Sequence, residues 1–243
     1  MSRIWLLVLC GLMAAHAAAA PVDPVICPIS DPFVIAREQL PHTAAAVVAG
    51  KLSILALGGA ATAGGPAHGN EYTYPARLAA RLNQALPAVN TEVVVMAAAR
   101  QSDNGFETKL AAYLAERKPA LVIWGPGATS AAVNGDLDTF STSVSSTIGT
   151  IRAGGADLVL MSLQYAPSVS RLLNLAPYRA TVMFSANETG VPVFDRYDLM
   201  RLWSDTGFID LDATDPGERV RVARKLYDCM AQILSNGIVD AVK

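Results

Sequence analysis

Short apolar runs alternate with amphipathic segments along the chain after residue 50. The apolar runs are four to six residues long, rich in valine, leucine and isoleucine, and nearly free of charge. Such runs are typical of strands buried on both faces of a parallel sheet. They predict five strands, over residues 52–57, 92–97, 120–124, 157–161 and 191–194.

Between these runs, apolar residues recur every three or four positions, which is the spacing of one helix face. After the first strand, Leu78, Leu82 and Leu86 form such a stripe, and Pro75 stands in the first turn. The pattern predicts helices over residues 75–86, 105–117, 137–153, 176–188, 197–204 and 217–234. Strand–helix alternation predicts an α/β fold, a three-layer α/β/α sandwich with about five parallel strands, and leaves the strand order open.

The first 50 residues lack this alternation. Arg3 precedes an apolar stretch and an alanine-rich segment with several small-x-small sequences before Pro21, which predicts a cleavable secretory signal over residues 1–20. No later apolar run is long enough to cross a bilayer, so we expect no membrane span in the mature chain. Residues 21–50 are proline-rich and predict an irregular arm on one domain formed by residues 51–243.

Charge and cysteine content agree with export. The chain has 19 basic and 21 acidic residues, and loss of Arg3 changes the net charge from -2 to -3. No basic cluster is present, which argues against a nucleic-acid partner. After cleavage Cys27 and Cys229 remain, and an oxidising compartment favours a disulfide between them, with two free thiols as the alternative. His42 and His68 lie at no ligand spacing from either cysteine, so no metal or other cofactor is predicted.

The loop after the first strand consists almost entirely of glycine and alanine. Ligands bind at the carboxyl ends of parallel strands, and small residues let backbone amides approach a ligand closely. A phosphate loop would require Lys and Ser/Thr where Gly65 and Pro66 follow Gly64, and a dinucleotide fingerprint would require glycine at Ala60. The loop therefore predicts either a different kind of ligand cleft or a small-residue turn without chemistry. Its sequence is Gly58-Gly59-Ala60-Ala61-Thr62-Ala63-Gly64-Gly65.

This strand and loop resemble the beginning of the SGNH/GDSL hydrolases, a family of esterases and lipases. In that family the strand leads into Gly-Asp-Ser-Leu and then Thr-Ala-Gly, and the serine is the nucleophile. Ala60 stands at the serine position here. The segment from Tyr74 to Leu78 and the segment from Gly155 to Pro167 also resemble the family, the latter its exported bacterial members. The resemblance covers about residues 51–234 and implies an SGNH-hydrolase or flavodoxin-like sheet.

The resemblance assigns four further positions, in loops after later strands and before the last helix. Gln101 aligns with a glycine whose N–H helps to hold the oxyanion, and Thr129 with the oxyanion asparagine. Asp212 matches the aspartate that orients the catalytic histidine, and Asp215 stands at the histidine itself. Three of these positions have an alternative without chemistry: a polar surface loop for Gln101, and favourable charges near a helix N-terminus for the two aspartates.

Replacement of the serine and histidine removes groups that work as a unit, at a cost of about 10⁶-fold in rate. We therefore predict a non-catalytic relative that binds an acylated glycan, a lipid fragment or a partner protein in the former cleft. One alternative is an active ester hydrolase with a relocated centre that uses Ser102, Ser130 and His68. A further alternative makes Asp212 and Asp215 an acid/base pair for a glycosidic bond.

Overall fold

The computed structural model describes residues 26–64, 67, 69–97 and 106–243. Within these residues a parallel sheet of five strands has the order β2-β1-β3-β4-β5. This confirms the predicted fold class and supplies the strand order that the pattern left open. The strands are β1 (Lys51–Gly58), β2 (Asn90–Ala97), β3 (Leu121–Trp124), β4 (Asp157–Met161) and β5 (Val193–Phe194).

The predicted helices are present, most of them within two residues of the expected ends. Three short helices, α1, α4 and α6, were not predicted. The helices are α1 (Pro41–Val48), α2 (Tyr74–Ala85), α3 (Phe106–Arg117), α4 (Ala128–Ala132), α5 (Leu137–Ala153), α6 (Pro167–Leu172), α7 (Ala176–Thr189), α8 (Arg196–Asp205) and α9 (Pro216–Val242).

Helix α9 continues well past its predicted end at residue 234. Asn236 and Gly237 have the composition of a helix end, but the glycine serves packing here. A Cβ on Gly237 would lie 2.8 Å from the carbonyl oxygen of Phe33, so the N-terminal segment approaches the helix backbone at this point.

Alternate strand residues enter two separate cores, one on each face of the sheet. Leu52, Ile54 and Ile123 pack beneath α1, α2, α8 and α9. Leu55 and Val122 pack beneath α3, α5 and α7. The strands are therefore covered on both faces, as their near-continuous apolar character indicates.

The prediction of an irregular arm over residues 21–50 is wrong for Pro41–Val48, which forms α1. The backbone N–H and the hydroxyl of Thr43 both donate to Asp157 Oδ2, at 2.7 Å each. This buried carboxylate fixes the N-terminus of α1 to the start of β4. The two residues are 114 positions apart, so local sequence carries no sign of the contact.

The predicted disulfide between Cys27 and Cys229 is present and ties the N-terminal segment to α9. The indole N–H of Trp203 donates to the carbonyl of Pro28 at 2.7 Å, which fixes the same segment to α8. The signal predicted over residues 1–20 lies outside the described residues. In the part of the chain that is described, no helix has the length and apolar character to cross a membrane.

Candidate ligand cleft

The strand order reverses direction between β1 and β3, and ligands of such sheets bind at this point. Leu57 in β1 pairs with Trp124 in β3, so the two strands end at the same level. The loops that follow them leave the carboxyl edge of the sheet side by side. One carries Ala60 and Ala61, and the other leads into α4.

A cavity of about 440 Å³ opens at this edge. Its wall is formed by the β1 loop, the start of α4, the segment around α6, the loop before α9 and the first turns of α9. Most of the lining side chains are apolar. The polar members are Gln164, Tyr165, Asp210, Arg219 and Tyr227.

Gly58 allows the β1 loop to fold back on the end of its strand. The N–H of Thr62 donates to the carbonyl of Gly59 at 3.0 Å, and Thr62 is buried beneath the loop. A Cβ on Gly58 would lie 2.2 Å from the Thr62 hydroxyl oxygen. The turn therefore places the methyl group of Ala60 at the cavity, where it is exposed.

The β3 loop contributes through the beginning of α4. Gly127 precedes this helix with φ of 97°, a conformation that favours glycine. Ala128 lines the cavity with Ala60, and Thr129 is the next residue in α4. The Thr129 side chain is half-buried and is not part of the lining. Ser130 is likewise half-buried in α4.

Asp212 holds α6 rather than facing the cavity. Its carboxylate accepts the N–H of Ser168 at 3.0 Å and pairs with Arg171 at 3.3 Å. The hydrogen bonds from Ser168, followed by those from Arg171, hold the pKa of Asp212 below its ordinary value. Because Ala166 and Val169 line the cavity, Asp212 anchors part of the cavity wall.

Asp215 is the N-cap of α9. Its carboxylate accepts the N–H of Glu218 at 2.8 Å, and the side chain is exposed. Asp215 therefore has the non-catalytic role considered above, that of an acidic residue at a helix N-terminus. The structure thus brings Ala60 and the start of α4 to one cavity and points Asp212 and Asp215 elsewhere. Gln101, Ser102 and His68 lie outside the described residues.

Comparison with known proteins decides the family. The sequence profile of the non-GDSL lipase-like family matches residues 26–243. The chain belongs to this family. No curated protein matches it in sequence.

Solved structures, two of them named as esterases, share the fold of this non-GDSL lipase-like protein. TesA is 20% identical, with a TM-score of 0.58, over 76% of this chain and 98% of TesA. An acetylxylan esterase from Geobacillus stearothermophilus is 18% identical, with a TM-score of 0.56, over 77% of this chain and 94% of the esterase. The esterase EstA from Pseudoalteromonas sp. is 16% identical, with a TM-score of 0.54, over 76% of this chain and 99% of EstA. The resemblance to the SGNH/GDSL hydrolases is confirmed at the level of family and fold.

A buried cation that the sequence pattern does not predict lies near the cavity of this lipase-like protein. Arg196 is only 3% exposed, and its Nε donates to the carbonyl of Ser162 at 3.0 Å. Burial lowers the pKa of Arg196 to about 10, although the nearby hydroxyls of Tyr74 and Tyr227 act in the opposite direction. The arginine opens α8 in the polar sequence Asp195-Arg196-Tyr197-Asp198, which has the composition of a surface turn. No local signal identifies it.

Tyr74 and Tyr227 lie within electrostatic range of Arg196. Burial raises the pKa of Tyr74 to about 12, opposed by a hydrogen bond from Thr62 and the charge of Arg196. Burial also raises the pKa of Tyr227, opposed by the same charge. Both tyrosines therefore keep their protons at neutral pH. Among the described residues, no three His, Cys, Asp or Glu side chains lie close enough together to hold a metal ion.

Proposed function

We propose that this non-GDSL lipase-like protein is exported and binds an acyl-bearing or otherwise apolar ligand in the cavity without cleaving it. The observation that carries the proposal is the composition of the cavity wall. It lies where ligands of such sheets bind, it is mainly apolar, and it includes the methyl group of Ala60, the residue that the family resemblance aligns with the nucleophilic serine. The disulfide between Cys27 and Cys229 supports an oxidising destination.

The chemistry of the wall argues against ester hydrolysis. A covalent mechanism requires a nucleophile within hydrogen-bond reach of a base. Among the described residues that line the cavity there is no serine, threonine, cysteine or histidine. Asp212, which would orient a histidine, is occupied by Ser168 and Arg171. Asp215 is occupied as the cap of α9.

The size and polarity of the cavity favour an amphiphilic ligand of moderate size. Its volume of about 440 Å³ lies in the range of about 300–1,000 Å³ that is usual for small-molecule sites. Leu163, Leu173 and Leu226 offer contacts to an acyl chain, whereas Gln164 and Arg219 offer contacts to a polar group. An acylated glycan or a lipid fragment meets both requirements. The fold shared with an acetylxylan esterase is compatible with the first of these.

Displacement of an apolar fluorescent dye, such as N-phenylnaphthylamine, tests the proposal. We expect one dye site per chain, emptied by medium-chain acyl compounds. Ala213→Trp places a large side chain in the wall and should weaken dye binding at least about tenfold, since the indole occupies ligand volume. Ala112→Trp is the matched control, because Ala112 is exposed on α3, and no described residue of α3 lines the cavity. Equal binding by the two variants, or no binding by the wild type, would contradict the proposal.

A further inference from the structure

Arg196 is a charged group in the protein interior for which the described residues supply no carboxylate. An arginine of this burial normally pairs with a carboxylate, because desolvation of an unpaired charge costs several kcal/mol. The neighbouring acids are engaged elsewhere. Asp195 accepts hydrogen bonds from Ser162 and Arg179, and Asp198 pairs with Arg179 and Arg201. Within the described part of the chain, Arg196 makes no ion pair.

The guanidinium lies at the carboxyl edge of the sheet, beside the cavity. Its Nη2 is 3.7 Å from the position that a Cβ on Gly125 would occupy, directly after β3. Gly125 is half-buried and has no side chain to cover this nitrogen. Nε is held by the Ser162 carbonyl, directly after β4. Arg196 therefore lies next to the loops that form the cleft.

Arg196 does not itself line the cavity, but two lining residues lie near it. Met200 is four positions further along α8, so it lies on the same helix face, and it lines the cavity. Tyr227 also lines the cavity, and its hydroxyl lies within electrostatic range of the guanidinium. Because this tyrosine is protonated at neutral pH, its O–H is a donor that can act with the cation.

We propose that Tyr227, together with the nearby charge of Arg196, makes an anion-binding end of the cavity, so that the ligand is an amphiphile with a carboxylate or phosphate head and an apolar chain. This inference rests on the proposed binding function and specifies the ligand of the same site. The head group lies against Tyr227, within the electrostatic field of Arg196, and the chain extends along the apolar wall towards Val169 and Leu173. The ligand supplies the negative charge that the described residues around Arg196 do not. Arg219, exposed at the wall, attracts the anion from solvent.

A purely structural role for Arg196, which is to hold the Ser162 carbonyl, predicts no dependence on ligand charge. The first experiment therefore compares dodecanoate, dodecyl phosphate and dodecanol with the wild-type protein by calorimetry. A hydrogen bond to a charged partner contributes enough to expect that one or both anions bind at least about tenfold more tightly than the alcohol. The tighter of the two anions identifies the head group.

The outcomes separate the inference from the proposed function. Equal affinity for the alcohol and both anions would overturn the anion site while leaving an apolar binding cavity. Absence of binding by all three compounds would overturn both. Neither result depends on the folding of a variant.

Substitutions then test whether Arg196 supplies the positive charge that favours the anion. Arg196→Met should abolish the preference for the anion. Arg196→Lys should retain part of it, because lysine keeps the positive charge but lacks the planar guanidinium group with its several N–H donors. Arg201→Met is the control, since it removes a cation from the exposed face of the same helix and should leave the preference unchanged. If Arg196→Met does not fold, Tyr227→Phe removes the second donor and should reduce the preference several-fold. An undiminished preference in the folded Arg196→Met protein, or otherwise in Tyr227→Phe, would contradict the assignment.

Discussion

At the scale of single residues, the shape of the cleft depends on small residues in the loop after β1. Ala60 presents a methyl group at the cavity, and Gly58 leaves room for Thr62 to pack beneath the loop. The two glycines at the end of β1 are not equivalent. A Cβ on Gly58 would collide with Thr62, whereas a Cβ on Gly59 would meet no atom within 4 Å.

Gly58→Ala should therefore lower the free energy of unfolding by about 1–3 kcal/mol, the usual range for overpacking in a close-packed region. Gly59→Ala should change it by less than about 0.5 kcal/mol, as for a substitution in open space. Urea unfolding of the two variants and the wild type measures the difference. Equal stability of the two variants would show that the loop has another conformation.

The sequence identified some of these residues and missed others for physical reasons. Ala60 and Thr129 were found because a family frame fixes their distance from the preceding strand, and the structure places Ala60 at the cavity and Thr129 just beside it. Arg196 was missed because its environment is built by β3, β4, α2 and α9, which are distant in sequence. A polar turn that is buried by remote elements looks the same in sequence as one in solvent.

At the scale of elements, α6 forms part of the cavity wall and is attached to the loop before α9. Its Ser168 N–H and Arg171 both bind Asp212 in the loop before α9. We expect Asp212→Asn to weaken this attachment, because the amide keeps the size of the carboxylate and loses its charge. Hydrogen exchange of the α6 amides should become faster, with little effect elsewhere. Asp205→Asn, at an exposed aspartate at the end of α8, should leave exchange in α6 unchanged.

The same contact predicts a direction for pH dependence. Ser168 first, and Arg171 after it, lower the pKa of Asp212 in the folded protein. A lowered folded pKa means that the attachment is complete above the ordinary pKa of aspartate, about 3.9, and is lost as the pH falls through the lowered value. NMR titration should give Asp212 a midpoint below the ordinary pKa of aspartate, about 3.9. A midpoint at or above the ordinary pKa would contradict the attachment.

Long elements were predicted more reliably than short ones. The stripe of α2 and the core positions of α5 are visible as helical periodicity, and Leu78 and Leu82 are fully buried as expected. Helix α1 has no comparable stripe, and its N-terminus is held by Asp157 from β4. Helices α4 and α6 have five and six residues, which is too short for a periodic pattern to emerge.

At the scale of the whole molecule, one disulfide joins the beginning of the described chain to α9. Cys27 and Cys229 are 202 positions apart, so the bond restricts nearly the whole unfolded chain. Replacement of both by serine should lower the free energy of unfolding by about 2–5 kcal/mol. Denaturant unfolding of the double variant measures this loss, and reduction of the wild type should reproduce it. Unchanged stability would show that the N-terminal segment is held by its other contacts alone.

The strand order is also a property of the whole molecule, and the alternating pattern alone left it open. Each apolar run is compatible with several neighbours in a parallel sheet. The order β2-β1-β3 brings the loops after β1 and β3 together, and this adjacency creates the cleft. The resemblance to a family implied such a sheet, and the solved structures of two esterases share its fold.

The central claim is that an esterase fold is retained here for binding, without ester cleavage. The most direct test is hydrolysis of a short acyl ester by the wild-type protein before and after treatment with a fluorophosphonate, with the intact mass recorded in parallel. We predict no turnover above that of the heat-denatured protein and no change in mass. Turnover that disappears as one fluorophosphonate adduct forms would contradict the claim and would establish a relocated serine centre.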